Sequence, residues 1–310
     1  RSDTEILVET ASEFLKDIEN PQVLDLCAGS GCIGISLAKD YPNSAVVLVE
    51  KFEEAARYIK QNIALNEAYN TLLLMGDVLE GDGSGEYDLI VSNPPYSIKW
   101  EGDNNPLLIN DPRFSPAGVL APASKGDMAF IMHSLSWLAN NGAAAIVCFP
   151  GIMYRGGAEQ KIRKYLVDNN YVDAIIQLPS NLFLNVTISV DIMVLRKNKT
   201  DNGIMFVDAS GEFVKVTKNN RLTEANIQRI VSAVADRKDV DHFCRLVPND
   251  EVGSKENAYN LSVSTYVEAE DTREKIDITE LNARIAEIVA REAMLRAEID
   301  KIIAEIEVGL

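Results

Sequence analysis

The residues Asn93-Pro94-Pro95-Tyr96 close an apolar run, Tyr87 to Ser92, and join hydrogen-bond acceptors to an aromatic ring. An adenine amine or a carboxamide nitrogen is a poor nucleophile, because its lone pair is delocalised into the adjoining π system. If the Asn93 side-chain oxygen and the Pro94 carbonyl each accept one N–H, the nitrogen is drawn toward tetrahedral geometry and its lone pair is freed for an electrophilic methyl group. Pro95 stiffens the turn. Tyr96 offers a face for a planar substrate, and enzymes that modify a base take it out of the duplex and read it by such contacts. The bland alternative is a rigid loop after a strand, since both prolines stop pairing. The proton leaves after transfer, so no histidine base is required, which fits a chain with two histidines.

A second constellation lies upstream, at Asp25-Leu26-Cys27-Ala28-Gly29-Ser30-Gly31. Glycines after a strand let the backbone turn tightly and approach a ligand, while a following helix starts with its amides toward the pocket. Glu50, at the end of the next apolar run, can accept hydrogen bonds from both ribose hydroxyls. Asp77, after the third run, can accept one from the exocyclic amine of adenine. The expected cofactor-binding residues are therefore Asp25, Cys27, Ala28, Gly29, Gly31, Glu50, Asp77 and Asn93, and the expected catalytic residues are Asn93, Pro94, Pro95 and Tyr96. The absence of a phosphate-cradling lysine after the glycine turn argues against ATP. A nicotinamide cofactor fits these residues alone but leaves the Asn-Pro-Pro-Tyr corner unexplained, whereas S-adenosyl-L-methionine accounts for both.

Strand-like runs recur at Gln22–Cys27, Ala45–Glu50, Thr71–Gly76, Tyr87–Ser92, Ala143–Phe149 and Val172–Leu178, most separated by stretches long enough for a helix. Such alternation predicts a parallel, doubly wound α/β sheet. Between Pro179 and Ser189 the linker is too short for a parallel crossover, so Val190–Arg196 should return antiparallel. The result is a Rossmann-like, class I methyltransferase outline: seven strands, mostly parallel, one reversed. Thr4 to Lys16 reads as a lead-in helix. Residues 97–124, rich in proline, asparagine and aspartate, read as a loop over a substrate pocket. Residues 198–271 mix a short strand at Ile204–Ala209, a capped helix from Thr223 and polar linkers. From Ile278 the residues Leu281, Ile285, Ile288, Leu295, Ile299, Ile302 and Ile306 continue a heptad seam, with Glu292 at the one skipped position. The expected domains are 1–210 for cofactor and chemistry, 211–272 as mixed linker and helix, and 273–310 as a helix for subunit pairing.

Composition narrows the classes. Hydrophobic residues at 46% and charged residues at 25% are near the globular average and favour neither a disordered nor a membrane protein. No apolar stretch approaches the roughly 18 residues of a membrane span, and no leader pattern is present, so a cytoplasmic location is expected. The four cysteines form no Cys-x-x-Cys pair, so no metal site is expected. A formal charge of −17 repels phosphate backbones, so if DNA is the substrate another subunit should supply most of the positive charge. Arg155, Lys161, Arg163 and Lys164 form a small basic cluster that reads as a phosphate contact or a solvated helix face.

From Ser97 onward the chain resembles the modification subunit of type I restriction–modification systems, the N6-adenine DNA methyltransferases. The resemblance is carried by Ser97-Ile98-Lys99-Trp100, Asp111-Pro112-Arg113-Phe114, Leu120-Ala121-Pro122, Asp127-Met128-Ala129-Phe130, Arg155-Gly156-Gly157-Ala158-Glu159 and the heptad tail. It implies methyl transfer to a flipped adenine in double-stranded DNA, a DNA-specificity subunit held by the C-terminal helix, and a restriction subunit as a further partner. Residues 1–96 look more like a release-factor glutamine methyltransferase, through Arg1-Ser2-Asp3-Thr4-Glu5-Ile6-Leu7-Val8-Glu9 and the glycine turn with Cys32-Ile33-Gly34. Both families share Asn-Pro-Pro-Tyr. The helical region and Phe-Tyr-Thr-Pro-like motif that the type I resemblance implies ahead of the turn are not in this sequence, and Phe183-Leu184-Asn185-Val186-Thr187 lacks its Gly-Thr pattern. The alternatives are protein glutamine-N5 methylation and a non-catalytic, cofactor-binding assembly module.

Overall fold

The computed structural model describes residues 2–80, 85–182, 187–217, 219–269 and 278–308. Residues up to 269 form one compact unit and the C-terminal helix another. In chain order the strands of the main sheet are β1 (Gln22–Leu26), β2 (Ala45–Glu50), β3 (Thr71–Met75), β4 (Tyr87–Ser92), β5 (Leu138–Cys148), β6 (Val172–Gln177), β7 (Asp191–Arg196) and β8 (Gly203–Asp208). A small hairpin, β9 (Val214–Val216) and β10 (Asn219–Arg221), precedes the last strand, β11 (Cys244–Pro248).

The main sheet has nine strands in the order β11-β8-β6-β7-β5-β4-β1-β2-β3. The seven expected strands are all in it, with β7 antiparallel to both neighbours as the short linker before it demanded. Two more extend the edge: β8 lies parallel to β6, and β11 pairs antiparallel with β8. The stretch 211–269, read as linker and helix, thus contributes β11 and a helix to the same compact unit.

Helices cover both faces. On one, α1 (Ser2–Ser12), α2 (Cys32–Asp40), α3 (Glu53–Asn66) and α6 (Glu224–Asp236) bury Ile6, Leu7, Leu37, Ile59 and Ile230 against strand residues such as Val23, Leu48, Val91 and Ile176. On the other, α4 (Asp127–Trp137), α5 (Ala158–Asp168) and the loop 97–124 bury Met128, Ile131, Ile162 and Phe114, and the short α7 (Asn249–Val252) adds Val252. Fully buried strands flanked this way read as continuous apolar runs, which is how β7 and the second half of β5, from Ala143, look. Thr223 caps α6 in a reciprocal box with Asn226, satisfying two orphan backbone donors.

The C-terminal helix, α8 (Ile278–Val308), runs 31 residues. Its seam residues Ile278, Leu281, Ile285, Ile288, Leu295, Ile299, Ile302 and Ile306 are exposed. Among the described residues no helix is long and apolar enough to cross a membrane.

The basic cluster needs correction. Arg163 is 1% exposed, and its guanidinium donates to the carbonyls of Tyr259 at 2.8 Å and Ile152 at 2.7 Å. Burial holds its pKa down, at about 10. Arg155 pairs with Glu159, and Lys164 with Asp168 and Tyr259. Arg163 is thus neither a solvated residue nor a phosphate contact, because its donors are spent tying α5 to Ile152, ahead of the helix, and to Tyr259, in the chain that follows β11. Arg163→Ala should cost about 3 kcal/mol, since charged hydrogen bonds are lost and buried carbonyls left unpaired; denaturant unfolding of the variant checks this.

Candidate functional site

Two turns meet at one edge of the sheet. Chain order reverses between β1 and β4: β2 and β3 lie to one side of the pair, β5 to the other. Such a switch point leaves a crevice at the carboxyl ends of the strands. The β1–β4 register pairs Leu26 with Ser92, and the Ser92 hydroxyl donates to the Leu26 carbonyl at 2.8 Å. Cys27 and Asn93, the next residue on each strand, therefore begin neighbouring turns.

On the glycine side, Cys27 is forced to φ +62° and Gly29 to +59°. A left-handed backbone is rare for a residue with a side chain, and such outliers gather at functional sites. A Cβ on Gly29 would meet nothing within 4 Å, so the turn faces open space. Its orientation is fixed from behind: the Glu50 carboxylate accepts the Gly29 N–H at 2.8 Å with one oxygen and the Phe52 N–H at 2.8 Å with the other. Ala28 donates to the Val49 carbonyl, tying the turn to β2, and the Gly31 N–H returns to the Ala28 carbonyl.

Asp25 is fully buried, and its Oδ2 accepts the Gly34 N–H at 2.9 Å. Gly34 permits this approach because a Cβ there would stand 2.3 Å from Leu48 Cδ2 and 3.0 Å from Asp25 Oδ2. Asp25 Oδ1 has no partner. Burial is the main cause that lifts its pKa to about 7; the Gly34 bond opposes this and the nearby Glu50 adds to it. Burial and the acids Asp25, Glu50 and Asp77 push the Cys27 thiol up to about 12, so it stays neutral and is no nucleophile.

Asp77 sits beyond β3. Its carboxylate accepts from Lys51 at 2.6 Å and from the Leu79 N–H at 2.9 Å. Lys51 was not singled out from the sequence, although a lysine just past the Glu50 strand end could have been paired with the next acid. Beside them lies an open cleft of about 1080 Å³, with Lys51, Asp77 and Leu79 on one side and Ile98, Trp100, Asn104 and Leu108 on the other. The loop expected over a pocket thus walls this cleft, anchored by buried Leu108, Phe114 and Leu120.

On the acceptor side, the Tyr96 hydroxyl donates to Asn93 Oδ1 at 3.3 Å. Pro94 is buried and Pro95 exposed. Tyr96 is partly buried against the first core, and burial raises the pKa of its phenol, with the Cys148, Asp127 and Asp191 groups adding to the shift. Asp127 and Asp191 carried no expected role. Asp127 opens α4 and accepts the Ser97 N–H at 2.9 Å; an acid in the first turn of a helix was the available signal. Asp191 opens β7 opposite Cys148, and burial lifts its pKa to about 7. Residues 183–186, in the stretch that lacks the Gly-Thr pattern, lie outside the described residues.

The arrangement puts an open glycine turn backed by carboxylates beside a rigid corner of acceptors. It suits a cationic, hydroxylated ligand on the first side and an N–H donor on the second.

Comparisons with known proteins bear on the family of the chain. A family model described as N-6 DNA Methylase matches residues 4–275. The methylase subunit of the type I restriction enzyme MpnII of Mycoplasma pneumoniae is 50% identical over 223 residues, 72% of this chain and 41% of that protein. A release factor glutamine methyltransferase of Thermodesulfovibrio yellowstonii is 40% identical over 98 residues, 31% of this chain and 35% of that protein. Among solved structures, the methyltransferase subunit of a type I restriction-modification system of Streptococcus thermophilus aligns with a TM-score of 0.79 at 33% identity, covering 85% of this chain and 58% of that one. The chain spans about half the length of the curated methylase subunits it matches.

The raised carboxyls carry a pH signature. In the unfolded chain Asp25 ionises near its usual 3.8, whereas in the fold it keeps its proton to about 7. The native state then holds more protons between those values, so this group's contribution to stability is full below pH 4 and declines up to about pH 7. Asp25→Asn should flatten the fall of unfolding free energy over that window, leaving the part due to Asp191; urea titrations at pH 5, 6, 7 and 8 measure the slopes.

Proposed function

The chain belongs to the N-6 DNA Methylase family, and on that premise we propose that it transfers a methyl group from S-adenosyl-L-methionine to the N6 amine of adenine in DNA. The observation that carries this reading is the β1–β4 register, which sets the open glycine turn and the Asn93 corner next to each other. The residues fit the cofactor: Gly29 leaves room for it, and Glu50, at the end of β2, and Asp77, past the end of β3, are acceptors suited to ribose hydroxyls and an adenine amine. When bound, the cofactor supplies an electrophilic methyl group.

The chain's own part is orientation and charge placement. Asn93 Oδ1 already accepts one bond from Tyr96, and a carboxamide oxygen has a second lone pair for an amine N–H. The Tyr96 bond holds the side chain in place before substrate arrives. The Pro94 carbonyl takes the second N–H, and the two acceptors localise the amine lone pair. Such preorganised polar groups lose no energy to reorientation during reaction. Tyr96 then contributes its ring to a base extruded from double-stranded DNA.

In this reading residues 1–210 carry the cofactor and target sites, with 211–272 completing the sheet edge. Residues 273–310 serve subunit pairing: α8 presents its apolar seam to a DNA-specificity subunit of a type I restriction–modification complex, which also supplies positive charge that a chain of net charge −17 lacks. A restriction subunit completes the assembly, which acts in the cytoplasm.

The match to a release factor glutamine methyltransferase favours a second reading, methylation of a protein glutamine, because a carboxamide NH2 offers the same two N–H groups. Incubation with a release factor followed by peptide mass analysis separates the two. For DNA methylation, tritiated-methyl transfer by the chain with its specificity subunit should fall about 10²-fold or more in Asn93→Ala, the scale of losing one preorganised polar contact. Equal labelling by that variant would remove the reading.

A further inference from the structure

Ser97, the residue by which the chain leaves the Asn-Pro-Pro-Tyr corner, stands at φ +52°. This left-handed conformation is unfavourable for a residue with a Cβ and persists only where the surroundings impose it. Here the backbone of Ser97 is gripped from α4. The Ser97 N–H donates to Asp127 Oδ1 at 2.9 Å across a gap of thirty positions in sequence.

The following residues are clamped separately. The Gly126 N–H donates to the Ile98 carbonyl at 2.8 Å, the Trp100 N–H to the Ala123 carbonyl at 3.0 Å, and the Trp100 indole to the Pro122 carbonyl at 3.1 Å. Ser97 is therefore the joint between that clamp and the acceptor corner. Asp127 is 7% exposed, and its second oxygen is buried without a partner. A carboxylate held so is costly, and its one described bond goes to Ser97 rather than to amides of its own helix.

We propose that Asp127 is a positioning residue for methyl transfer, holding Ser97 in its left-handed conformation so that Asn93 and the Pro94 carbonyl stay aimed at the amine. This rests on the function proposed above. Without the hold, Ser97 relaxes toward negative φ, and the turn it terminates rotates the preceding carbonyl and side chain out of line. Small misplacements of this kind cost about 10²-fold in rate.

The test uses the full chain with its DNA-specificity subunit and tritiated-methyl transfer to duplex DNA. Asp127→Ala should lower kcat by about 10²-fold while the KM for DNA and the affinity for the cofactor stay unchanged. Asp127→Asn keeps an acceptor oxygen for the Ser97 N–H and should retain most of kcat. Adding Ser97→Gly to Asp127→Ala should recover about 10-fold, because glycine populates the left-handed region without help. If Asp127→Ala does not fold, Asp127→Glu displaces the acceptor by one methylene and should show the same loss and the same recovery by Ser97→Gly. Wild-type kcat in Asp127→Ala or Asp127→Glu overturns the inference while leaving the proposed function standing. So does a loss in Asp127→Asn that Ser97→Gly does not repair, since charge rather than the hold would then matter. A wild-type complex that labels no DNA overturns both.

Discussion

The parallel pairing of β1 with β4 brings together two turns that are far apart in sequence. Adjacent strands lie about 4.8 Å apart, so residues one step beyond a matched pair start their turns within reach of a single ligand. Leu26 and Ser92 are such a pair, and the Ser92 hydroxyl on the Leu26 carbonyl locks the register at the strand ends. A slip of one residue would flip every side chain of β4 between the two cores. Leu89 and Val91 belong to one core and Ile90 to the other, all of them fully buried, so the packing on both faces resists that slip. The geometry of the site is thus enforced by burial far larger than the site itself.

At the site the local rules are broken in concert. Cys27 and Ser97 hold left-handed backbone without being glycine, and Asp25 and Asp127 each bury an oxygen with no partner. Conflicts of this sort are expected where function rather than stability chose the residue. The same kinds of conflict also occur elsewhere, as at Arg237 and Asn249, but at the two turns both kinds stand side by side. Charge follows the same pattern. Burial keeps Asp25 and Asp191 from ionising until about pH 7, while Glu50 spends its oxygens on the amides that shape the glycine turn.

Much of this was legible in the sequence, and for a physical reason. The strands β1, β4, β6 and β7 are buried on both faces, so each appears as a short apolar run, and the linker before β7 was too short for anything but an antiparallel return. The turn residues were legible because glycine pairs and adjacent prolines have few other uses. β11 was missed because Cys244-Arg245-Leu246-Val247-Pro248 is an edge strand with a partly exposed arginine and a terminal proline, too weak a pattern to stand out. Arg163 misled because a lysine- and arginine-rich helix looks solvated, and nothing local shows that two carbonyls wait for its guanidinium. The role of Asp127 depends on a contact with Ser97 that spans the whole loop between them, and single-sequence reading has no access to such contacts.

The account turns on whether one ligand at the carboxyl ends of β1 and β4 reaches both the glycine bend and Asn93. A crystal structure of the chain with S-adenosylhomocysteine addresses that most directly. The account predicts the nucleoside along Glu50 and Asp77, with the ligand sulfur facing the Asn93 side chain and the Pro94 carbonyl. A ligand seated elsewhere, or an Asn93 side chain turned away from the sulfur, would contradict it.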